Sequence, residues 1–237
     1  MKPGTGTAEN RMKLSVIIPV YNEASTIREI ISRVRRVPVG MEKEIIVVDG
    51  ASTDGTRESL KAEESAPGTL VIYENGREGK GAAVRKGLEK ASGDIALIQD
   101  ADLEVSPEEY PNLLKHIVSG ETDVVFGSRF MSGSRFRAAS LLANRVLIFL
   151  TNLLYGARMT DVLTCYKVFR LEAVKGMEFE CRGFDFDTEL TVKLLKRGVK
   201  ITEVPISYSP RTYGDGKKIN WKDGFKSVYA VAKNRFS

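Results

Sequence analysis

From Leu14 to Ser128 the chain alternates short β-branched runs with segments of helical spacing, and that alternation limits the fold more than anything else in the sequence. The run LSVIIPV (14–20) has no polar side, as a parallel strand buried between two helix layers requires. ASTIREIISRV (24–34) follows, with Ile27, Ile30, Ile31 and Val34 on one helical stripe. The pattern continues with a strand EIIVV (44–48), a helix over Thr56 to Glu64, a strand TLVIY (69–73) and a helix at 80–91. A strand DIALIQ (94–99), a helix from Pro107 and a strand DVVFGS (123–128) complete it. This predicts parallel βαβ units in a doubly wound α/β sheet. The remainder is less regular: a helix over 138–156, a strand CYKVFR (165–170), a helix at 186–197, a strand ITEVPISY (201–208) and a last helix from 221.

The totals narrow the class. A chain of 237 residues, 42% hydrophobic and 28% charged, can bury one well-packed domain. No run reaches the ~18 apolar residues of a membrane span, and the start MKPGTGTAENRMK lacks a signal-peptide core, so a cytoplasmic location is expected. Cys165 and Cys181 fall in no metal-binding spacing. The net charge is +5, and residues 129–160 hold Arg129, Arg135, Arg137, Arg145 and Arg158 with no acid. Such a segment suits phosphate groups; nucleic acid is set aside, because basic residues interleaved with aromatics are missing.

In open α/β sheets ligands bind at the carboxyl ends of the strands. Here those ends read PVYNE (19–23), DGASTDGT (49–56), QDADLE (99–104) and GSRF (127–130). Asp100, Asp102 and Glu104 alternate, so a continuing strand would put them on one face. Three like charges there need a cation, and an all-oxygen set favours magnesium or manganese, which complete their shells with substrate phosphates. GREGKGAAVRKG (76–87) opens a helix with Gly79, Lys80 and Gly81, a start that attracts phosphate. It is a poor dinucleotide fingerprint, with Val84 at the sixth position and the third strand before it. His116 and Trp221 read as packing or surface residues.

Taken in order, SVIIPVYNE, IIVVDGASTDGT, GKGAAVRKG and QDADLE resemble the inverting nucleotide-sugar glycosyltransferases of family 2 and the GT-A fold. GSRF, RAAS, DVLTCYKVFR, GFDFDTEL and YSPRTYGDGKKINWKDG bring the chain nearer the polyprenyl-phosphate (dolichyl-phosphate) mannosyl- and glucosyltransferases. The resemblance implies transfer of a hexose from a GDP-mannose or UDP-glucose type donor to a polyprenyl phosphate, giving a β-linked product, with Mg2+ or Mn2+ as cofactor. It places Pro19, Tyr21, Glu23 and Asp49 around the nucleoside, with Lys80 as a further nucleotide contact. It places Asp100 and Asp102, joined by Glu104, at the metal. Arg129, Arg137 and Ser140 fall at the acceptor phosphate. Relatives commonly read VVDD where this chain has Gly50, and Asp215 stands in place of an expected Glu. The implied organisation is a flexible tail over 1–12 and a GT-A domain over 13–237. Within it, 13–128 forms the nucleotide-sugar half and 129–237 the acceptor half.

A phosphate acceptor is already anionic and needs positioning rather than a base. Asp187 could serve as base if the acceptor were a hydroxyl, the alternative reading. A catalytically idle nucleotide-sugar binder fits less well with the acids and arginines intact. The last helix, WKDGFKSVYAVAKNRF, is basic and amphipathic, so peripheral attachment at the cytoplasmic membrane face is expected beside simple capping of the domain. No protein partner is inferable.

Overall fold

The computed structural model describes residues 12–133, 138–211 and 221–236, with the side chains of 138–140 and 221–222 outside that description. One seven-stranded sheet runs in the order β3-β2-β1-β4-β6-β5-β7. Its strands are β1 (Lys13–Val20), β2 (Glu42–Asp49), β3 (Thr69–Tyr73), β4 (Ile95–Ile98), β5 (Val124–Ser128), β6 (Lys167–Arg170) and β7 (Ile201–Pro205). β1 pairs in parallel with β2 and β4, β2 with β3, and β5 with β7. Among the described strands only β6 runs antiparallel, inserted between β4 and β5. The helices are α1 (Ile27–Arg36), α2 (Thr56–Lys61), α3 (Lys80–Lys90), α4 (Tyr110–Val118), α5 (Ala138–Tyr155), α6 (Leu171–Val174), α7 (Phe186–Lys196) and α8 (Trp221–Phe236).

Alternation along the central strands feeds two cores. Leu14, Val16 and Ile18 of β1, with Ile95 and Leu97 of β4, pack against the Ile27, Ile30, Ile31 and Val34 stripe of α1 and against α4. Ile17, Ala96 and Ile98 point the other way, onto Val84 of α3, Leu147 of α5, Phe186 and Leu190 of α7 and Val231 of α8. The sheet is therefore covered on both faces, as its all-apolar central strands demand.

Some boundaries differ from the sequence reading. The strand expected to run into Gln99 stops at Ile98. The Gln99 side chain is buried and accepts hydrogen bonds from the hydroxyls of Tyr110 and Tyr166 at 2.7 and 2.9 Å. Leu103 then takes φ +60°, so residues 99–104 form a turn and strand alternation no longer governs their side chains. The expected strand over 201–208 ends at Pro205, which gives the ladder no N–H. The short α6 has no counterpart in the sequence reading. Because β1, β2, β4 and β5 run the same way, their four polar exits gather at one edge of the sheet.

Candidate active site

A cavity of about 900 Å³ opens at that edge. Pro19, Tyr21 and Glu23 enter it from the exit of β1, Asp100, Asp102 and Glu104 from that of β4, and Arg129 from that of β5. Lys80 of α3 and Asp187 of α7 enter from the opposite helix layer.

The three acids do not form the ready-made three-ligand set expected from strand alternation. Among the described residues no group of three or more His, Cys, Asp or Glu side chains is arranged to hold a metal ion. The turn at Leu103 is the reason. Glu104 accepts a hydrogen bond from the backbone N–H of Arg211 at 2.8 Å, and Asp100 faces the Lys80 ammonium at 2.8 Å. Glu104 is thus turned to the loop at 209–211, which leaves Asp100 and Asp102 as the two carboxylates nearest the expected metal position. The pair still fits a hard divalent cation. Burial, followed by the charges of Asp100 and Glu104, pushes the Asp102 carboxyl up to about 7. A carboxyl driven that far wants a positive partner, and two carboxylates with substrate phosphates are the usual magnesium or manganese surroundings.

Behind the pair runs a chain of alternating charge. Lys80 Nζ bridges Asp100 and Asp187, the latter at 3.0 Å. The other oxygen of Asp187 lies 3.4 Å from Nζ of Lys167. Lys167 is fully buried, donates to the carbonyls of Val162 and Thr164 at 3.2 and 2.8 Å, and lies over the Phe126 ring. Burial opposes charge on Asp187, but Lys167 and Lys80 outweigh it and hold the carboxyl below its ordinary value. Burial likewise opposes the Lys80 charge, and Asp100 and Asp187 overcome it, keeping Lys80 protonated. Burial lowers the pKa of Lys167, with Asp187 countering in part. Asp187 is thus an ionised anchor for two ammonium groups, a poor arrangement for accepting a proton.

The glycine-rich start of α3 packs closely against the approach to α7. The N–H groups of Gly81 and Ala82 donate to the carbonyls of Gly183 and Arg182, both at 3.2 Å. A Cβ at Gly81 would lie 2.6 Å from the Cys181 carbonyl and 2.7 Å from the Phe186 Cβ. The glycine therefore permits backbone contact between α3 and the approach to α7, and the N–H groups of Gly81 and Ala82 are spent on that contact. Lys80 at this helix start brings positive charge to the cavity.

Asp49 is fully buried, and its carboxylate accepts from Arg57 Nε at 2.6 Å and from the Ser52 N–H. Glu23 pairs with Arg211 at 2.8 Å, and Arg77 covers the Tyr21 ring at 4.3 Å. Arg129 is gripped by Asp161 at 2.7 and 2.8 Å and donates to the Leu163 carbonyl. Burial opposes its charge, and Asp161 more than restores it. It reaches the cavity as half of a neutral pair. Arg137 lies outside the described residues, as does the side chain of Ser140, so the acceptor-phosphate reading of these two is left where the sequence put it. Asp161, Lys167 and Arg211 have no place in the sequence reading. The one signal available for Lys167 is a lysine placed between Tyr166 and the apolar Val168 and Phe169 of β6.

Toward solvent the cavity passes between α5 and α8, along Val146, Leu147, Phe225 and Val228. Leu142, Val146, Phe149 and Leu153 form an exposed stripe on α5, and Phe225 and Tyr229 are exposed on α8. Among the described residues no helix is long and apolar enough to cross a membrane.

A family model described as Glycosyl transferase family 2 matches residues 15–177. The dolichol-phosphate mannosyltransferase of Pyrococcus furiosus is 32% identical over 211 residues, covering 87% of this chain and 59% of that protein. The undecaprenyl-phosphate mannosyltransferase of Micrococcus luteus is 31% identical over 221 residues, with 87% of each covered. The chain thus spans about three fifths of the first relative and most of the second. Glucosyl-3-phosphoglycerate synthase from Mycobacterium tuberculosis, solved with Mn2+, UDP-glucose and phosphoglyceric acid, superposes with a TM-score of 0.75 at 22% identity, over 96% of this chain and 80% of that one. That likeness bears on the fold, which is the GT-A fold.

Proposed function

The chain belongs to glycosyl transferase family 2, and from that premise we propose that it transfers a hexose from a nucleotide-diphosphate sugar to a polyprenyl phosphate. The observation that carries this reading is the continuity of one cavity, from the carboxylates and Lys80 at the strand ends to an apolar mouth between α5 and α8. A charged donor and a long apolar acceptor need those two ends. The names of the Pyrococcus and Micrococcus relatives support the lipid phosphate, and the UDP-glucose and Mn2+ bound to the mycobacterial structure support the donor class. The exposed stripe of α5 and α8, helices that also carry the exposed Arg145 and Lys226, suits contact with an anionic membrane surface.

Magnesium or manganese held by Asp100 and Asp102 would neutralise diphosphate charge when bound. The protein's own groups do the rest. Lys80 offers a second positive charge beside Asp100, and Asp187 with Lys167 fixes it there. Pro19, Tyr21 and Glu23 line the part of the cavity assigned to the nucleoside. The acceptor phosphate is assigned to the Arg129 side, with Arg137 and Ser140 from the following segment. A phosphate oxygen attacks the anomeric carbon as the bond to the diphosphate breaks. The electron pair leaves with the nucleoside diphosphate, and an α-linked donor gives a β-linked lipid phosphate sugar. No base is needed, because the acceptor is an anion before it arrives. The hydroxyl-acceptor alternative asks Asp187 to take a proton while two ammonium groups hold it ionised.

The test is transfer of labelled sugar from GDP-mannose, UDP-glucose or UDP-N-acetylglucosamine, with Mn2+, to a polyprenyl phosphate or to the matching polyprenol. Label in the lipid phase is expected only with the phosphate. Equal or better transfer to polyprenol or a free sugar would sink the proposal.

A further inference from the structure

Glu74 follows β3 and is only 3% exposed. Its Oε1 accepts from Lys86 Nζ at 2.7 Å. Its Oε2 has no hydrogen-bond partner among the described residues. A buried carboxylate oxygen in that state is destabilising until something donates to it. The nearby carboxylate of Asp49 carries no such vacancy, since Arg57 and Ser52 already donate to it. Oε2 lies beside Gly50, where a Cβ would stand 3.7 Å from it, 3.5 Å from the Val20 carbonyl and 3.7 Å from the Tyr21 Cβ. Gly50 lines the cavity together with Tyr21 and Arg77. The missing side chain at position 50 is therefore a notch in the cavity wall, and the one unspent oxygen of Glu74 lies directly behind it.

We propose that Glu74 is a specificity-determining residue, its Oε2 accepting the ring N–H of the donor's nucleobase across the Gly50 notch. This rests on the donor reading given above. Uracil carries that N–H at N3 and guanine at N1. Adenine presents a lone pair at the corresponding ring nitrogen, which a carboxylate repels. Glu74 thus selects uracil and guanine nucleotides over adenine nucleotides.

Binding of UDP, GDP, ADP and inorganic pyrophosphate, each with Mn2+, is measured by calorimetry on the parent chain and on Glu74→Met and Gly50→Ala. Both variants are built to fold. Lys86 keeps Glu78 at 2.7 Å when Glu74 is lost, and an alanine Cβ at position 50 meets nothing closer than 3.5 Å. Glu74→Met is expected to weaken UDP or GDP about ten- to a hundredfold, the range of one hydrogen bond to a charged group. It should narrow the gap to ADP and leave pyrophosphate unchanged. Gly50→Ala should reproduce the loss by filling the notch. UDP and GDP affinities equal to the parent's in both variants overturn the proposal, as does an equal loss for pyrophosphate. A parent that binds pyrophosphate but prefers no nucleotide overturns the donor reading and this proposal together.

Discussion

Lys80 neutralises Asp100, and in the proposed reaction it would do a second job, facing the diphosphate once the donor arrives. The two jobs separate in Lys80→Met. Without the ammonium, Asp100 regains its full charge, so Mn2+ alone should bind several-fold more tightly while UDP or GDP with Mn2+ binds more weakly; calorimetry reads both. Asp187 is tied to the same lysine and to Lys167. Asp187→Asn leaves Lys167 without its counterion and Lys80 with Asp100 alone, and stranding a buried charge in this way costs about 3–5 kcal/mol of stability. Lys167→Met added to it should recover part of that loss in urea unfolding, because one stranded charge is removed. Asp100 and Asp102 are readable from sequence because a strand end is a local event, carried by six neighbouring residues. Asp161, Lys167 and Arg211 are not, because what they do is set by distant partners. Arg129 and Asp161 are 32 residues apart, and Arg211 meets Asp102 across 109.

Elements with one apolar stripe or an unbroken apolar run are the legible part of the fold, as Ile27, Ile30, Ile31 and Val34 of α1 show. Two features escape that logic. Nothing in the KVFR of β6 marks it as antiparallel to β4 and β5, so its direction is invisible in the sequence. The glycines of α3 read as a phosphate loop, whereas Gly81 is required for contact with the Cys181 carbonyl. How the elements are tied at their amino ends is equally non-local. Glu44 of β2 accepts from Ser15 Oγ of β1 at 2.6 Å and from the N–H and hydroxyl of Ser92 at 2.7 and 2.8 Å, with Lys13 at 2.9 Å. Burial would raise its carboxyl, but these donors bring it down to about 2 from 4.5. A depressed folded-state value stabilises above the unfolded value and ceases to as pH falls through the folded one. Glu44→Gln should therefore be less stable by about 1–2 kcal/mol at pH 6, after allowance for solvent screening. The difference should shrink steadily below pH 4.5 toward 2 in urea titrations.

At the scale of the molecule, the proposed function separates membrane contact at the exposed stripe of α5 from chemistry at the strand ends. Leu142→Ser with Phe149→Ser leaves the strand-end site untouched and removes two exposed apolar groups from α5. The double variant should partition into anionic vesicles at least tenfold less than the parent. It should turn over a short-chain, water-soluble polyprenyl phosphate at the parent's rate; an equal loss in both assays would place those residues in the catalytic half instead. The insertion of β6 between β4 and β5 has a consequence for synthesis on the ribosome. Although β4 and β5 are complete by residue 128, nothing joins them until residues 167–170 have emerged. A nascent chain stopped short of that point leaves one edge of β4 and both edges of β5 open, and such edges recruit other chains. The chain is therefore most exposed to aggregation or to chaperone capture while those last forty or so residues are being made.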